Sequence, residues 1–236
     1  MTDQVSFKTY FSLGSEEISI YVKDIISSEI IFFKKRKLEK GKEDPFENEI
    51  QSFFLEKISE IEKQIKLFVN NIILIIEDES IFFIKFSIKQ KIENRKISEE
   101  EFKNLLSNGL QEIYKYNHDN MVIHYIIDKI YIDDQIVEKT KGIDKVINNN
   151  LSLNLRSICI EKQIVFKFKH LFKKKQISLE KIFSTSYLNE FKNLNKNGLM
   201  EIVTNIEKGY NEFEVELVPK KPKKKGFFEN FFLSFQ

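Results

Sequence analysis

Five consecutive aliphatic residues, Ile72-Ile73-Leu74-Ile75-Ile76, constrain this chain more than any other feature. A segment apolar on both sides reads as a central strand covered on both faces. It opens a block, residues 72–135, that reads strand, strand, capped helix, strand, strand. The neighbouring strand places Phe82, Ile84, Phe86 and Ile88 on one face and Phe83, Lys85, Ser87 and Lys89 on the other, the alternation of a half-exposed strand. Ser98 and Glu101 have the spacing of a capping box, in which hydroxyl and carboxylate each satisfy a free amide of the helix start. Phe102, Leu105, Leu106, Leu110 and Ile113 give that helix its buried face. Val122-Ile123-His124-Tyr125-Ile126-Ile127 and Tyr131-Ile132 follow as strands after a polar turn.

The chain before this block reads as an approach to it. Residues 5–13 alternate polar and apolar, Gly14-Ser15 make a turn, and Ile18, Ile20 and Val22 alternate again, which predicts a hairpin. Residues 30–33 read as a third strand, and the basic run 34–37 as its solvated end. Phe46, Ile50, Phe53, Phe54, Ile58, Ile61, Ile65 and Phe68 recur every three or four residues and predict one helix with a core-facing stripe. After the block, residues 139–150 read as a polar loop, and Leu151, Leu153 and Leu155 as a strand. Ile164, Val165, Phe168, Leu171 and Phe172 return to helical spacing. Residues 177–183 form a short apolar segment. Residues 199–203 and 213–218 read as strands that close the domain.

A chain of 236 residues holds one or two domains with a sizeable core. A net charge of +2 argues against a whole-chain polyanion binder. The chain has no Ala or Trp and an excess of Ile, Phe, Lys and Asn, a bias that an AT-rich coding sequence explains. One cysteine, Cys159, leaves no internal disulfide and fits a reducing compartment. No stretch reaches the roughly 20 apolar residues of a spanning helix, and the start lacks the pattern of a signal peptide. The expected location is the cytoplasm.

Side chains suited to carrying chemistry are sparse. His118, His124 and His170 are scattered and lack metal-ligand spacing with Cys159. His124 sits in a strand and reads as a hydrogen-bonded framework residue, and Cys159 as a small buried one. Asp133-Asp134, read as strand neighbours, would point to opposite faces and could not share acid–base work. No Walker sequence, Gly-rich phosphate loop or nucleophile elbow is present.

The last residues are of a different kind. Residues 219–226 are an extended linker carrying Lys220, Lys221, Lys223, Lys224 and Lys225. On a helix over 227–236, Phe227, Phe228, Phe231, Phe232 and Phe235 share one side. Such a segment is too short to be a stable helix in water, but its Phe face can order at a bilayer interface. Each lysine adds at most about 1 kcal/mol on an anionic leaflet. A buried Phe contributes about 1.5–3 kcal/mol, and less at an interface. The bland alternative is a tail docked on its own domain. A nucleic-acid role for these lysines is disfavoured by the amphipathic Phe cluster beside them.

The order strand hairpin, third strand, helix, strand-rich block and return to strands resembles the front half of the actin-like bacterial cell-division protein FtsA. Ser12-Leu13-Gly14-Ser15 followed by 18–22 stands where that family has its first phosphate strand. Ile97-Ser98 resembles the helix start of its inserted subdomain. Val122-Ile123-His124-Tyr125-Ile126 with Ile132-Asp133-Asp134-Gln135 stand at the spacing of its later strands, with Ile127 in place of a Pro. The basic, Phe-rich tail is similar to the family's membrane-surface helix.

The resemblance implies a mixed α/β (α+β) fold. It consists of a partial actin-like, ribonuclease H-like core (1–68 and 183–218), an inserted FtsA-type strand-helix-strand subdomain (69–182), the linker (219–226) and the C-terminal amphipathic helix (227–236). Gly14 and Ser15 would be a vestigial phosphate strand. Ser12 replaces the family's acidic residue, and Asn205-Ile206-Glu207-Lys208-Gly209-Tyr210 replaces the glycines whose amides approach phosphate in its second strand. The other half of the actin-like fold, with its adenosine site and FtsZ-docking surface, has no room here. No catalysis, cofactor or metal is therefore expected, although residual ATP binding stays open. The implied function is a non-catalytic adaptor at the division site, on the cytoplasmic face of the bacterial inner membrane. It would bind other cell-division proteins through the inserted subdomain and anionic lipid through the tail, possible self-association included, with no nucleic acid. The alternatives are a pilus assembly platform component like PilM and a divergent actin-like ATP-binding protein.

Overall fold

The chain folds in the order β1 (Phe7–Leu13), β2 (Glu17–Asp24), β3 (Ile30–Lys37), a π-helical turn (Phe46–Ile50), α1 (Gln51–Ile65) and β4 (Asn71–Ile76). Next come β5 (Phe82–Lys96), α2 (Glu99–Tyr116), β6 (Asn120–Ile132), β7 (Gln135–Val137) and β8 (Ile147–Glu161). α3 (Lys162–Lys173), β9 (Ser178–Ser184), α4 (Thr185–Asn189) and α5 (Leu199–Glu207) follow. The computed structural model describes residues 6–39, 46–137, 147–192, 199–209, 211 and 213–215. The residues expected to form the linker and the membrane-surface helix, 219–236, lie outside them.

The strands form two sheets, β3-β2-β1-β4-β9 and β5-β8-β6-β7. β1, β2 and β3 are antiparallel neighbours, and β4 runs parallel to both β1 and β9. The aliphatic run 72–76 is fully buried in β4, as its pattern predicts. Phe11 of β1 meets Phe53 and Phe54 of α1 and Phe168 and Phe172 of α3, with ring centroids 5.6–6.4 Å apart. These two helices therefore cover one face of the first sheet. On the other face Tyr10 and Lys8 reach Glu207 of α5. The first lobe is thus helix, sheet and helix in layers, a mixed α/β arrangement.

The second sheet takes its four strands from residues 82–161, all between β4 and β9. The span expected as one block, 69–182, contributes to both sheets. β4 and β9 belong to the first sheet, and α3 packs on Phe11 rather than on the second sheet. β5 pairs with β8, not with β4, so the half-exposed strand is no neighbour of the buried run. The capping box forms as expected: the Glu101 amide donates to Ser98 Oγ at 3.1 Å and the Ser98 amide to Glu101 at 2.9 Å. Leu106, Gly109 and Ile113 of α2 are buried against the second sheet.

Three expectations are corrected. Residues 199–207 are a helix, because Leu199, Ile202, Val203 and Ile206 are spaced for one apolar face. α1 ends at Lys66, which adopts a left-handed conformation at φ 58° and donates its amide to Glu62. Phe68 therefore leaves the stripe and is 80% exposed. Asp133 and Asp134 are the two-residue turn of the β6–β7 hairpin, both at positive φ (47° and 67°), rather than strand residues. The Asp133 carboxylate accepts from the amides of Asn149 and Asn150.

Candidate functional site

β6 carries a bulge between Val122 and His124. An extra residue in one strand reverses the alternation of side chains beyond it. Val122, Tyr125 and Ile127 consequently face α2 within the second core, while Ile123 and Ile126 join the first. His124 is aimed at the first lobe, where its ring lies 4.2 Å from that of Tyr187 and 5.5 Å from that of Phe183.

Both ring nitrogens of His124 are used. Nε2 accepts from the backbone N–H of Ser184 at 3.2 Å. Nδ1 must then carry the proton, which it donates to the Glu214 carboxylate at 2.8 Å. The Tyr187 hydroxyl donates to the other Glu214 oxygen at 2.8 Å, and the Asn211 side chain donates to the Tyr187 hydroxyl at 2.9 Å. Complete burial holds the imidazole below its ordinary pKa, only partly offset by Glu214. Burial pushes the Glu214 carboxyl up, but the imidazole and the Tyr187 hydroxyl outweigh it and leave it below the ordinary carboxylate range. A neutral histidine beside a carboxylate is the state this geometry favours.

A serine, a histidine and a glutamate meet here, but not as a nucleophile and its base. The nitrogen that would take a serine proton is bonded to a backbone amide instead. Ser184 Oγ faces Ser186 Oγ at 2.5 Å. The group is a clamp between lobes. A second tie lies nearby: Arg156 of β8 donates to Asp128 of β6 and to Glu190 beyond α4, each at 3.0 Å.

Beside the clamp a cleft of about 660 Å³ separates the sheets. Its walls are the outer edges of β6 (Met121, Ile123) and β9 (Leu179, Ile182), and Glu207 and Asn211 close it. Residues 213–215 lie along β6 farther on: the Val215 amide donates to the Tyr125 carbonyl at 2.7 Å and the Ile127 amide to the Phe213 carbonyl at 2.9 Å.

Gly14 and Ser15 form the β1–β2 turn. The Gly14 amide donates to the Glu17 carbonyl at 2.9 Å, closing the hairpin. A Cβ on Gly14 would meet its nearest atoms, Glu17 O and Glu77 Oε2, at ordinary distances of 3.5 and 3.7 Å. The Glu77 carboxylate stands beside this turn, while that of Glu17 pairs with Lys35 at 3.2 Å. The segment expected as a second phosphate strand is the end of α5: Glu207 pairs with Lys8 at 2.6 Å, and Gly209, at φ 83°, follows the helix. Its last residue, Tyr210, lies outside the described residues, as do Lys220, Lys221, Lys223, Lys224, Lys225, Phe227, Phe228, Phe231, Phe232 and Phe235.

His170 lies on the exposed side of α3, and the His118 carbonyl accepts from Lys162. Cys159 is buried and free. Among the described residues no cluster could hold a metal ion, and no helix is long and apolar enough to cross a membrane. The partners of His124 carry no local sequence signal, since Ser184 lies 60 and Glu214 lies 90 positions away.

No protein-family model matches the chain, and no curated protein matches it in sequence. Among solved structures, a PilM–PilN type IV pilus biogenesis complex is similar at a TM-score of 0.44 and 5% identity, over 77% of this chain and 48% of that one. A protein of Bacteroides thetaiotaomicron with an actin-like ATPase fold and unknown function is similar at 0.35 and 12% identity, over 84% and 61%. The chain spans about half the length of the first and under two thirds of the second.

Proposed function

We propose that this chain is a non-catalytic, FtsA-like adaptor of cell division, working at the cytoplasmic face of the bacterial inner membrane. The observation that carries the proposal is the order of elements. A hairpin, a third strand and a helix lead into β4, a separate four-stranded sheet follows in sequence, and β9 returns beside β4. That is the order on which the resemblance to FtsA rests.

Two further observations support an adaptor over an enzyme. Phosphate binding by a turn needs free backbone amides and no competing negative charge. The Gly14 amide is spent within its hairpin, and the Glu77 carboxylate stands beside it. The cleft between the sheets, in contrast, is bordered by two strand edges, at 121–123 and 179–182, that carry no strand partner among the described residues. Such edges take up an extended segment of another chain through main-chain hydrogen bonds. The tail residues Lys220 to Lys225 and Phe227 to Phe235 supply the lipid contact, weak in one copy and strengthened when several copies assemble.

Flotation with vesicles containing phosphatidylglycerol tests the anchor. The full chain is expected to float and a variant lacking residues 226–236 to remain at the bottom; undiminished flotation of the deletion refutes the anchor and favours a PilM-like platform component. Calorimetric titration with ATP and magnesium is expected to give no heat, and micromolar binding would move the assignment to a divergent actin-like ATP-binding protein. A fluorescent fusion is expected at midcell.

A further inference from the structure

We propose that residues 213–215, with Asn211, act as a displaceable strap, latched by Glu214, that closes the outer edge of β6 at residues 125–127. Among the described residues, the strap holds this edge by two backbone hydrogen bonds around the bridge Ile126–Glu214. On its other side β6 is laddered to β8 from Asn120 to Ile132. The remaining grip comes from side chains. Phe213 packs against both cores and Val215 against the second. Glu214 reaches His124 and Tyr187, and Asn211 reaches the Tyr187 hydroxyl.

The choice of a carboxylate is the telling feature. An apolar side chain in the same place would hold a permanent strand without needing partners. A carboxylate is held only in the one register that brings it to both His124 Nδ1 and the Tyr187 hydroxyl. On leaving it regains its hydration, which an apolar anchor would not, so release is less costly. Once the strap is off, the open edge of β6 extends from Met121 to Ile127 along the cleft, and one of the ties between the lobes is gone. What the opened edge receives rests on the adaptor reading; the latch does not, because it can be read in the free chain.

The test is single-residue amide exchange on the full chain without partners, in rising urea below the unfolding transition. In the native chain the Ile127 and Val215 amides are expected to exchange through a local opening, at least tenfold faster than the amides linking β6 to β8. Glu214→Gln is expected to speed both another tenfold and leave the β6–β8 amides unchanged. Exchange of Ile127 and Val215 only in step with the β6–β8 amides would make the strap a permanent part of the core and overturn the proposal. So would unchanged rates in Glu214→Gln. Failure of vesicle binding or of midcell localisation would touch the adaptor assignment and leave this result standing.

Discussion

The Nδ1–H of His124 donates to the Glu214 carboxylate at 2.8 Å across 90 positions of sequence. With this bond a bulged strand of the second sheet holds the segment that follows the first lobe. The two residues should be strongly coupled. A hydrogen bond to a charged group contributes about 1.5–3 kcal/mol, and stranding either partner inside the protein costs more than removing both. In a double-mutant cycle of His124→Leu and Glu214→Leu, read by urea unfolding, the double variant is expected to be at least about 1.5 kcal/mol more stable than the sum of the single effects. Additive losses would separate the two residues.

Acid should weaken the clamp, and the sign follows from both partners. Folded His124 lies below its ordinary value of 6.5, so the unfolded chain takes up a proton that the folded chain refuses. Stability therefore falls as pH drops below about 6.5. Glu214 is also held low, so its contribution is complete above its ordinary 4.5 and is lost as pH falls through the folded value. Tyr187, Lys181 and Glu190 also face this pair. Urea midpoints between pH 7.5 and 5.5 should decline in the native chain and decline much less in His124→Gln; parallel slopes would assign the loss to other groups.

Two glycines should respond to alanine differently. At Gly14 a Cβ finds only ordinary contacts and no positive φ, so Gly14→Ala should change stability by less than about 0.5 kcal/mol. At Gly109 a Cβ would lie 2.5 Å from the Tyr125 hydroxyl and 3.2 Å from the Phe86 ring. That hydroxyl is buried and donates to the Leu106 carbonyl. Overpacking of about 1–3 kcal/mol therefore outweighs the roughly 1 kcal/mol that alanine gains in a helix. Thermal unfolding of both variants checks the pair, and a stabilised Gly109→Ala would contradict the packing described.

Cys159 offers a reporter of the second sheet. It lies fully buried on β8 between Phe82 and Val122, and burial pushes its thiol up to about 11. Iodoacetamide at pH 8 should leave it unmodified in the native chain and alkylate it promptly in urea. Rapid native labelling would mean that β8 opens locally.

The N-terminus of α2 should depend on Ser98. Ser98→Ala removes the oxygen that accepts from the Glu101 amide, at a cost of about 0.5–2 kcal/mol. Ser98→Asp should recover most of it, since a carboxylate caps equally well and favours the positive helix end. Urea unfolding compares the three chains.

Much of the fold is legible because it is local. The run 72–76 announces a doubly covered strand, the Ser98–Glu101 spacing a helix start, and the three-four recurrence over 53–61 a core-facing stripe. The local signal fails where two periods compete or where direction changes. Residues 199–207 are apolar enough to pass for a strand until the i, i+3, i+4 spacing is weighed. Nothing local announces that Lys66 turns left-handed and throws Phe68 outward. Asp133-Asp134 reads as strand because its neighbours do, although two acidic residues tolerate the positive φ of a tight turn.

The clamp belongs to the other category. His124 is recognisable in sequence as a polar residue in an apolar strand and so as something needing partners. Which partners was decided in three dimensions. The bulge at Ile123 reverses the alternation and aims the ring at the first lobe, and β9 and residues 213–215 then bring Ser184 and Glu214 to its two nitrogens. Period and composition determine which faces of a segment must be buried, because burial follows from the chemistry of each side chain and its place in the repeat. They leave open which buried face meets which, because that pairing is a contest among distant surfaces settled only when the whole chain has packed.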